Sequence, residues 1–210
     1  MHASGTDTMT DSAPLDRYAL PHDVERACVA RAAELAAHAD PGHTNDTHLF
    51  ARLVAAREVR GESMLLGLTP DDMQALFQRH FPHAAPLAPP AYEAPVSTAH
   101  AAFVDTLTRL LLTHVPPSID TGDAQCIAAI VAHACLRPDH LWRDLGLSGR
   151  DDVTTMLMRY FPALVARNVE NLRWKKFLAR ELALSTGAVP GPAPGCPGCE
   201  DFRHCFPDGR

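Results

Sequence analysis

The sequence predicts an all-α fold of helical hairpins that ends in a Pro/Gly-rich, cysteine-bearing tail. Three observations carry this. Apolar residues recur at helical spacing through most of the chain, strand-like alternation is scarce, and capping residues and prolines mark where helices start and stop. After His22 and Asp23, the residues Val24, Ala27, Cys28 and Leu35 keep helical spacing to about His38. A second helix runs from Asn45 through Leu49, Leu53 and Val54 to about Val59. The third, Thr69–Phe81, opens with Thr69 as a side-chain acceptor, Pro70 with no donor to waste, and Asp71 and Asp72 on the positive end of the helix dipole. Ala99–His114 is strongly apolar and stops before Pro116 and Pro117, which cannot continue a helix. Asp123–Leu136, Ser148–Tyr160 and Ala163–Leu184 follow with short connections.

Two of these helices are introduced alike. Gly67-Leu68-Thr69-Pro70-Asp71-Asp72-Met73 matches Gly146-Leu147-Ser148-Gly149-Arg150-Asp151-Asp152-Val153, with one extra residue in the second cap. Both then run to a Phe-Pro pair, Phe81-Pro82 and Phe161-Pro162. Either good capping residues were used twice, or a helix–turn–helix unit is duplicated.

The 18 prolines divide the chain, five of them falling in Pro82–Pro95 and four in Pro190–Pro197. The organisation read from this is a disordered N-terminus at 1–20, helical halves at 21–82 and 99–184, and a Pro/Ala-rich linker at 83–98. A metal-binding tail at 185–210 is expected to be flexible and to fold only around its metal. The length of 210 residues and 46% hydrophobic content suffice for a real core. With 25 acidic against 19 basic side chains, a nucleic-acid or membrane-surface partner is disfavoured. No apolar run approaches the roughly 20 residues of a bilayer helix, and no secretion signal is visible, so a cytoplasmic protein is expected. No catalytic triad, phosphate loop or nucleotide fingerprint is present, and Asp71-Asp72 and Asp151-Asp152 are explained as helix-start charges, so no enzymatic activity is expected.

Chemistry concentrates at the C-terminus. Cys196, Cys199 and Cys205 fall within ten residues, beside prolines and glycines, where packing does not call for thiols. A Cys-x-x-Cys pair turns two thiolates toward one point and a third ligand can close over it, a soft donor set suited to zinc or iron–sulfur clusters. His204 beside Cys205 and His140 upstream are possible extra ligands, while Cys28, Cys126 and Cys135 read as small packing side chains. Glu200 and Asp201 read as solvated charge. Lys175 and Lys176, the only lysines, lie with Arg173 and Arg180 on the helix leading to the tail. That helix is either a solvated face or a docking and anion-attracting patch.

The run His140-Leu141-Trp142-Arg143-Asp144-Leu145-Gly146-Leu147 resembles the NifQ family of nitrogen-fixation accessory proteins. So do Phe161-Pro162, Asn168, Arg173-Trp174-Lys175-Lys176-Phe177 and the final cysteines. The likeness is specific over about 124–206 and weaker over 61–82. It implies a protein that carries a molybdenum–iron–sulfur cluster. Such a protein takes molybdate as its metal source and supplies molybdenum to the scaffold proteins that assemble the iron–molybdenum cofactor of nitrogenase. The family motif, Cys-x4-Cys-x2-Cys-x5-Cys, places its last three cysteines on Cys196, Cys199 and Cys205 and its first on Gly191. A further family cysteine would fall near Ala183. Three thiolates could serve three irons and leave the molybdenum corner open for release. The alternatives are a zinc-binding tail on a helical interaction module, or a family member whose cluster site is incomplete.

Overall fold

The computed structural model describes residues 22–39, 45–87 and 97–209, and among them all regular structure is helical. In chain order the elements are α1 (His22–Ala37), α2 (Asn45–Glu58), a 3-10 turn at Ser63–Leu66, α3 (Pro70–His80), α4 (Thr98–Leu112) and α5 (Thr121–Ala134). Then come α6 (Leu141–Leu145), α7 (Arg150–Tyr160), α8 (Pro162–Val165), α9 (Trp174–Thr186), a 3-10 turn at Cys196–Gly198 and α10 (Phe202–Cys205). The expected disordered N-terminus and most of the linker lie outside the described residues.

Local chemistry sets the helix starts. Thr69 Oγ1 accepts from the Asp72 N–H at 3.1 Å and Asp72 accepts in return from the Thr69 N–H at 3.2 Å, a reciprocal capping box. Ser97 and Asp120 cap α4 and α5 through the His100 and Asp123 N–H groups at 3.2 and 3.0 Å. In α7 the extra residue changes the cap: Gly149 offers no side chain, and Asp152 reaches back to accept from the Ser148 N–H at 3.0 Å. Helix α5 is apolar on nearly every side and is correspondingly central, with Cys126, Ile127, Ile130, Val131 and Ala134 all buried. One core runs through both halves, from Phe50 and Phe81 to Tyr160 and Phe177, and takes in Ala193, Cys196 and Phe206 of the tail.

Outside the cap, the two matching segments share their backbone geometry at both ends. Gly67 and Gly146 both sit in the left-handed region, at φ 70° and 69°, and Phe81 and Phe161 end α3 and α7 at φ −138°. Each unit reaches across to the other. Arg79 Nε donates to Asp123 of α5 at 2.9 Å, with His80 Nε2 2.9 Å from the same oxygen. Arg159 and Tyr160, at the end of α7, donate to Asp46 of α2 at 2.6 and 3.0 Å. A side chain at Gly67 would strike His133 of α5, and one at Gly146 would strike Ala56 of α2. Arg57 donates to the carbonyl of Asp144, while Arg137 donates to that of Leu65 at 2.9 Å. Every one of these contacts joins one half to the other.

Two expectations differ from the structure. The continuous helix expected over Ala163–Leu184 is broken: α8 ends at Val165 and α9 begins at Trp174. Asn168 explains the break, because its side chain accepts from the Leu172 N–H at 2.8 Å and donates to the Leu172 carbonyl at 3.0 Å, offering the backbone a rival to helix. Asn171 follows at φ 52°, a conformation asparagine tolerates. The tail, expected to be flexible, is docked on the body: Cys196 and Phe206 are buried in its core.

Cys126 and Cys135 are buried thiols, as the apolar reading expected; burial pushes them up from the usual value near 9 to about 11 and about 12. Between these values the unfolded chain has lost protons that the native state retains, so stability falls as pH rises from about 9 towards 11. The urea midpoint should therefore drop between about pH 8.5 and 10.5, and Cys126→Ala should shrink that drop.

Candidate metal centre

The tail reaches the body where glycine allows it. The Gly195 N–H donates to the Cys135 carbonyl at 3.0 Å, at the end of α5. A Cβ on Gly195 would stand 1.9 Å from the Arg137 carbonyl oxygen, and one on Gly198 would stand 2.4 Å from Pro138 Cβ. This close seating puts Cys196, Cys199 and Cys205 on the wall of a single cleft, which His140, Trp142 and Trp174 also line.

Charged side chains pin the same segment. His140 Nε2 lies 3.2 Å from both Glu200 Oε1 and Asp201 Oδ2. Arg143 donates to Glu200 at 3.0 Å, and Arg173 stands 2.7 Å from Asp201. Glu200 and Asp201 are thus part of a latch between tail and body rather than solvated charge. Lys176 donates to the Cys205 carbonyl at 2.5 Å, with its ammonium 4.8 Å from the centre of the Phe206 ring.

The basic helix divides by role. Lys175 is only 6% exposed, and its ammonium donates to Asp144 at 2.5 Å and to the Arg137 carbonyl at 2.7 Å. It is therefore no part of a solvated face, because α9 turns it inward onto a buried carboxylate. Arg180 pairs with Glu170 at 2.5 Å on the surface. Arg173 is exposed and Lys176 half-buried at the cleft. His204 is exposed and does not line the cleft, whereas His140 does. Cys28 is half-buried on α1, away from the cleft, and Gly191 has open space around it.

Sequence reasoning missed Arg143, Trp142, Trp174 and the two docking glycines. Their partners are more than 50 residues away or meet the tail only in three dimensions, so no local pattern announces them.

The donor types suit a soft metal or cluster. Among the described residues, however, no three His, Cys, Asp or Glu side chains are gathered closely enough to hold a metal ion. Joint ligation by Cys196, Cys199 and Cys205 therefore requires these side chains to come closer together than they stand. Burial pushes the Cys196 and Cys199 thiols up, opposed by backbone hydrogen bonds at Ala193 and Asp201 and, more weakly, by the Lys175 ammonium. Ligation would release a proton from each thiol that binds.

The family model described as NifQ matches residues 32–207. The chain belongs to the NifQ family. Over 87 residues it is 45% identical to Protein NifQ of Azotobacter vinelandii, a match covering 41% of this chain and 45% of that protein. It is 41% identical over 106 residues to a Protein NifQ homolog of Sinorhizobium fredii, covering 50% and 44% of the two chains. Protein NifQ of Rhodobacter capsulatus is 35% identical over 88 residues, covering 42% and 49%. The chain spans about half the length of the curated relatives it matches. No solved structure matches it. NifQ is a family of nitrogen fixation. Among the described residues no helix is long and apolar enough to cross a membrane.

Proposed function

We propose that this NifQ-family chain is a cytoplasmic carrier rather than an enzyme. It holds molybdenum within an iron–sulfur centre and passes it to the scaffold proteins that build the iron–molybdenum cofactor of nitrogenase. Molybdate is the metal source. The observation that supports this reading best is that Cys196, Cys199 and Cys205 all line one cleft, in a segment seated by its own glycines. Thiolates are the soft ligands such a centre needs. Three of them, with Gly191 in the fourth motif position, leave part of the cargo free of protein thiolate, which favours release. Arg173 and Arg180, each already paired with a carboxylate, and Lys176 are the basic groups that molybdate or an acidic acceptor would engage beside the cleft; Lys175, buried, acts within the fold.

Metal and sulfide analysis of protein purified without oxygen, from cells supplied with molybdate, tests the reading. Brown protein with iron, sulfide and molybdenum is the expected result. Colourless protein with stoichiometric zinc would establish the zinc-tail alternative instead. Gly191→Cys adds the thiol that the family motif carries. Because nothing lies within 4 Å of a Cβ there, the variant should fold normally and retain its cluster longer against an iron chelator.

A further inference from the structure

Two of the three cleft thiols belong to one short turn that is fixed at several points. Residues Cys196–Gly198 form a 3-10 turn, closed by the Cys199 N–H donating to the Cys196 carbonyl at 2.9 Å. Such a turn rises about 2.0 Å per residue and stacks side chains three apart on one side. It holds the Cys196 and Cys199 Cα atoms about 6 Å apart, within the span of about 4.4–6.8 Å that a disulfide bridges. Pro197 fixes one dihedral of the turn. The Gly195 N–H is tied to the Cys135 carbonyl, and Gly198 packs closely on Pro138. Little chain freedom is therefore left to lose when a bond joins the two sulfurs. Exposure differs within the pair: Cys199 is half-buried on the cleft, whereas Cys196 is only 7% exposed. Cys205, the third cleft thiol, stands outside the turn at the end of α10.

We propose that Cys199 and Cys196 are a redox-modification site, at which a small disulfide such as oxidised glutathione generates an intramolecular disulfide that closes the chain to loading. The Cys199 thiolate attacks one sulfur of oxidised glutathione. A Cys199–glutathione bond forms, the glutathione S–S bond breaks, and one reduced glutathione leaves. The Cys196 thiolate then attacks the Cys199 sulfur, forming the Cys196–Cys199 bond and expelling the second reduced glutathione. The chain gives up two electrons, the glutathione disulfide takes them, and the two thiol protons end on the glutathione thiols. Only Cys199 has to meet the reagent, so the burial of Cys196 is no obstacle; the second step joins groups already placed beside each other. A dithiol reductant reverses both steps. The effect on loading rests on the carrier reading above, because the disulfide withdraws two of its three thiolates, whereas the pairing itself needs no cargo.

The full chain, freed of metal by a chelator under argon, is equilibrated with oxidised glutathione, alkylated and cut with trypsin. Cleavage after Arg180 and Arg203 puts Cys196 and Cys199 on peptide 181–203 and Cys205 on peptide 204–210. The expected product is peptide 181–203 without alkyl groups, lighter than its reduced form by two hydrogen atoms. Alkylation of both its cysteines, glutathione left on Cys199, or a disulfide joining it to peptide 204–210 would overturn the proposal. Cys196→Ser should stop at the first step and keep glutathione on Cys199, while Cys199→Ser should leave Cys196 unmodified.

Uptake of ferrous iron and sulfide separates this inference from the carrier reading. Iron bound per chain should fall to near zero in oxidised protein and return once the disulfide is reduced and the reductant removed. Equal uptake by oxidised and reduced protein would overturn the proposal and leave the carrier reading intact. Failure of the reduced protein to take up iron would overturn the carrier reading, and with it the effect on loading, whatever peptide 181–203 shows.

Discussion

Asp144→Ala is expected to destabilise the protein by about 3–5 kcal/mol, read as a fall in the urea midpoint at unchanged slope. Asp144 is 7% exposed and faces two cations: Lys175 at 2.5 Å and Arg137 Nε at 3.3 Å. Its backbone carbonyl takes two more donors, from Arg57 and from Arg137 at 2.5 Å. Removing the carboxylate leaves two buried positive groups facing each other with no counter-charge. Lys175→Met should cost clearly less, because Asp144 and Arg137 then still balance one another. An equal or larger loss for Lys175→Met would show that the hub is not held together by this charge balance.

Gly195→Ala should detach the cysteine segment from a body that remains folded. The new Cβ would stand 1.9 Å from the Arg137 carbonyl oxygen and 2.5 Å from its carbon, and neither backbone atom is able to step aside. Metal content per chain should fall to near zero, and the tail should become sensitive to protease while the helical signal stays. Gly191→Ala, earlier in the tail and in open space, is the control and should keep both metal and protection. If Gly195→Ala holds its metal at the wild-type level, the seat on the α5–α6 turn has no part in building the site.

These expectations depend on features of very different legibility. Helix α3 is readable from the sequence because all its signals are local: Thr69, Pro70 and Asp72 sit within four residues and make the cap that their types suggest. The tail cysteines are legible for a similar reason, since three thiols in a Pro/Gly setting have no packing use. The break at Asn168 is hidden because a helical stripe continues on both sides of it and only a side-chain bond to Leu172 interrupts the pattern. Lys175 reads as surface in the sequence because its partner, Asp144, is 31 residues away and the pairing exists only once α9 packs. The latch from His140, Arg143 and Arg173 to Glu200 and Asp201 is illegible for the same reason.

The reciprocal bonding of the two halves bears on the stretch that joins them. Arg79 and His80 clasp Asp123 while Arg159 and Tyr160 clasp Asp46, so side-chain bonds hold the two halves together. For halves bonded in this way, a joining segment has to keep the two partners near one another, and the entropy of closing a loop grows with the logarithm of its length. Doubling it would add only about 0.6 kcal/mol to the cost of closure. An insertion between the two halves should therefore leave the urea midpoint almost unchanged, whereas loss of either clasp should lower it.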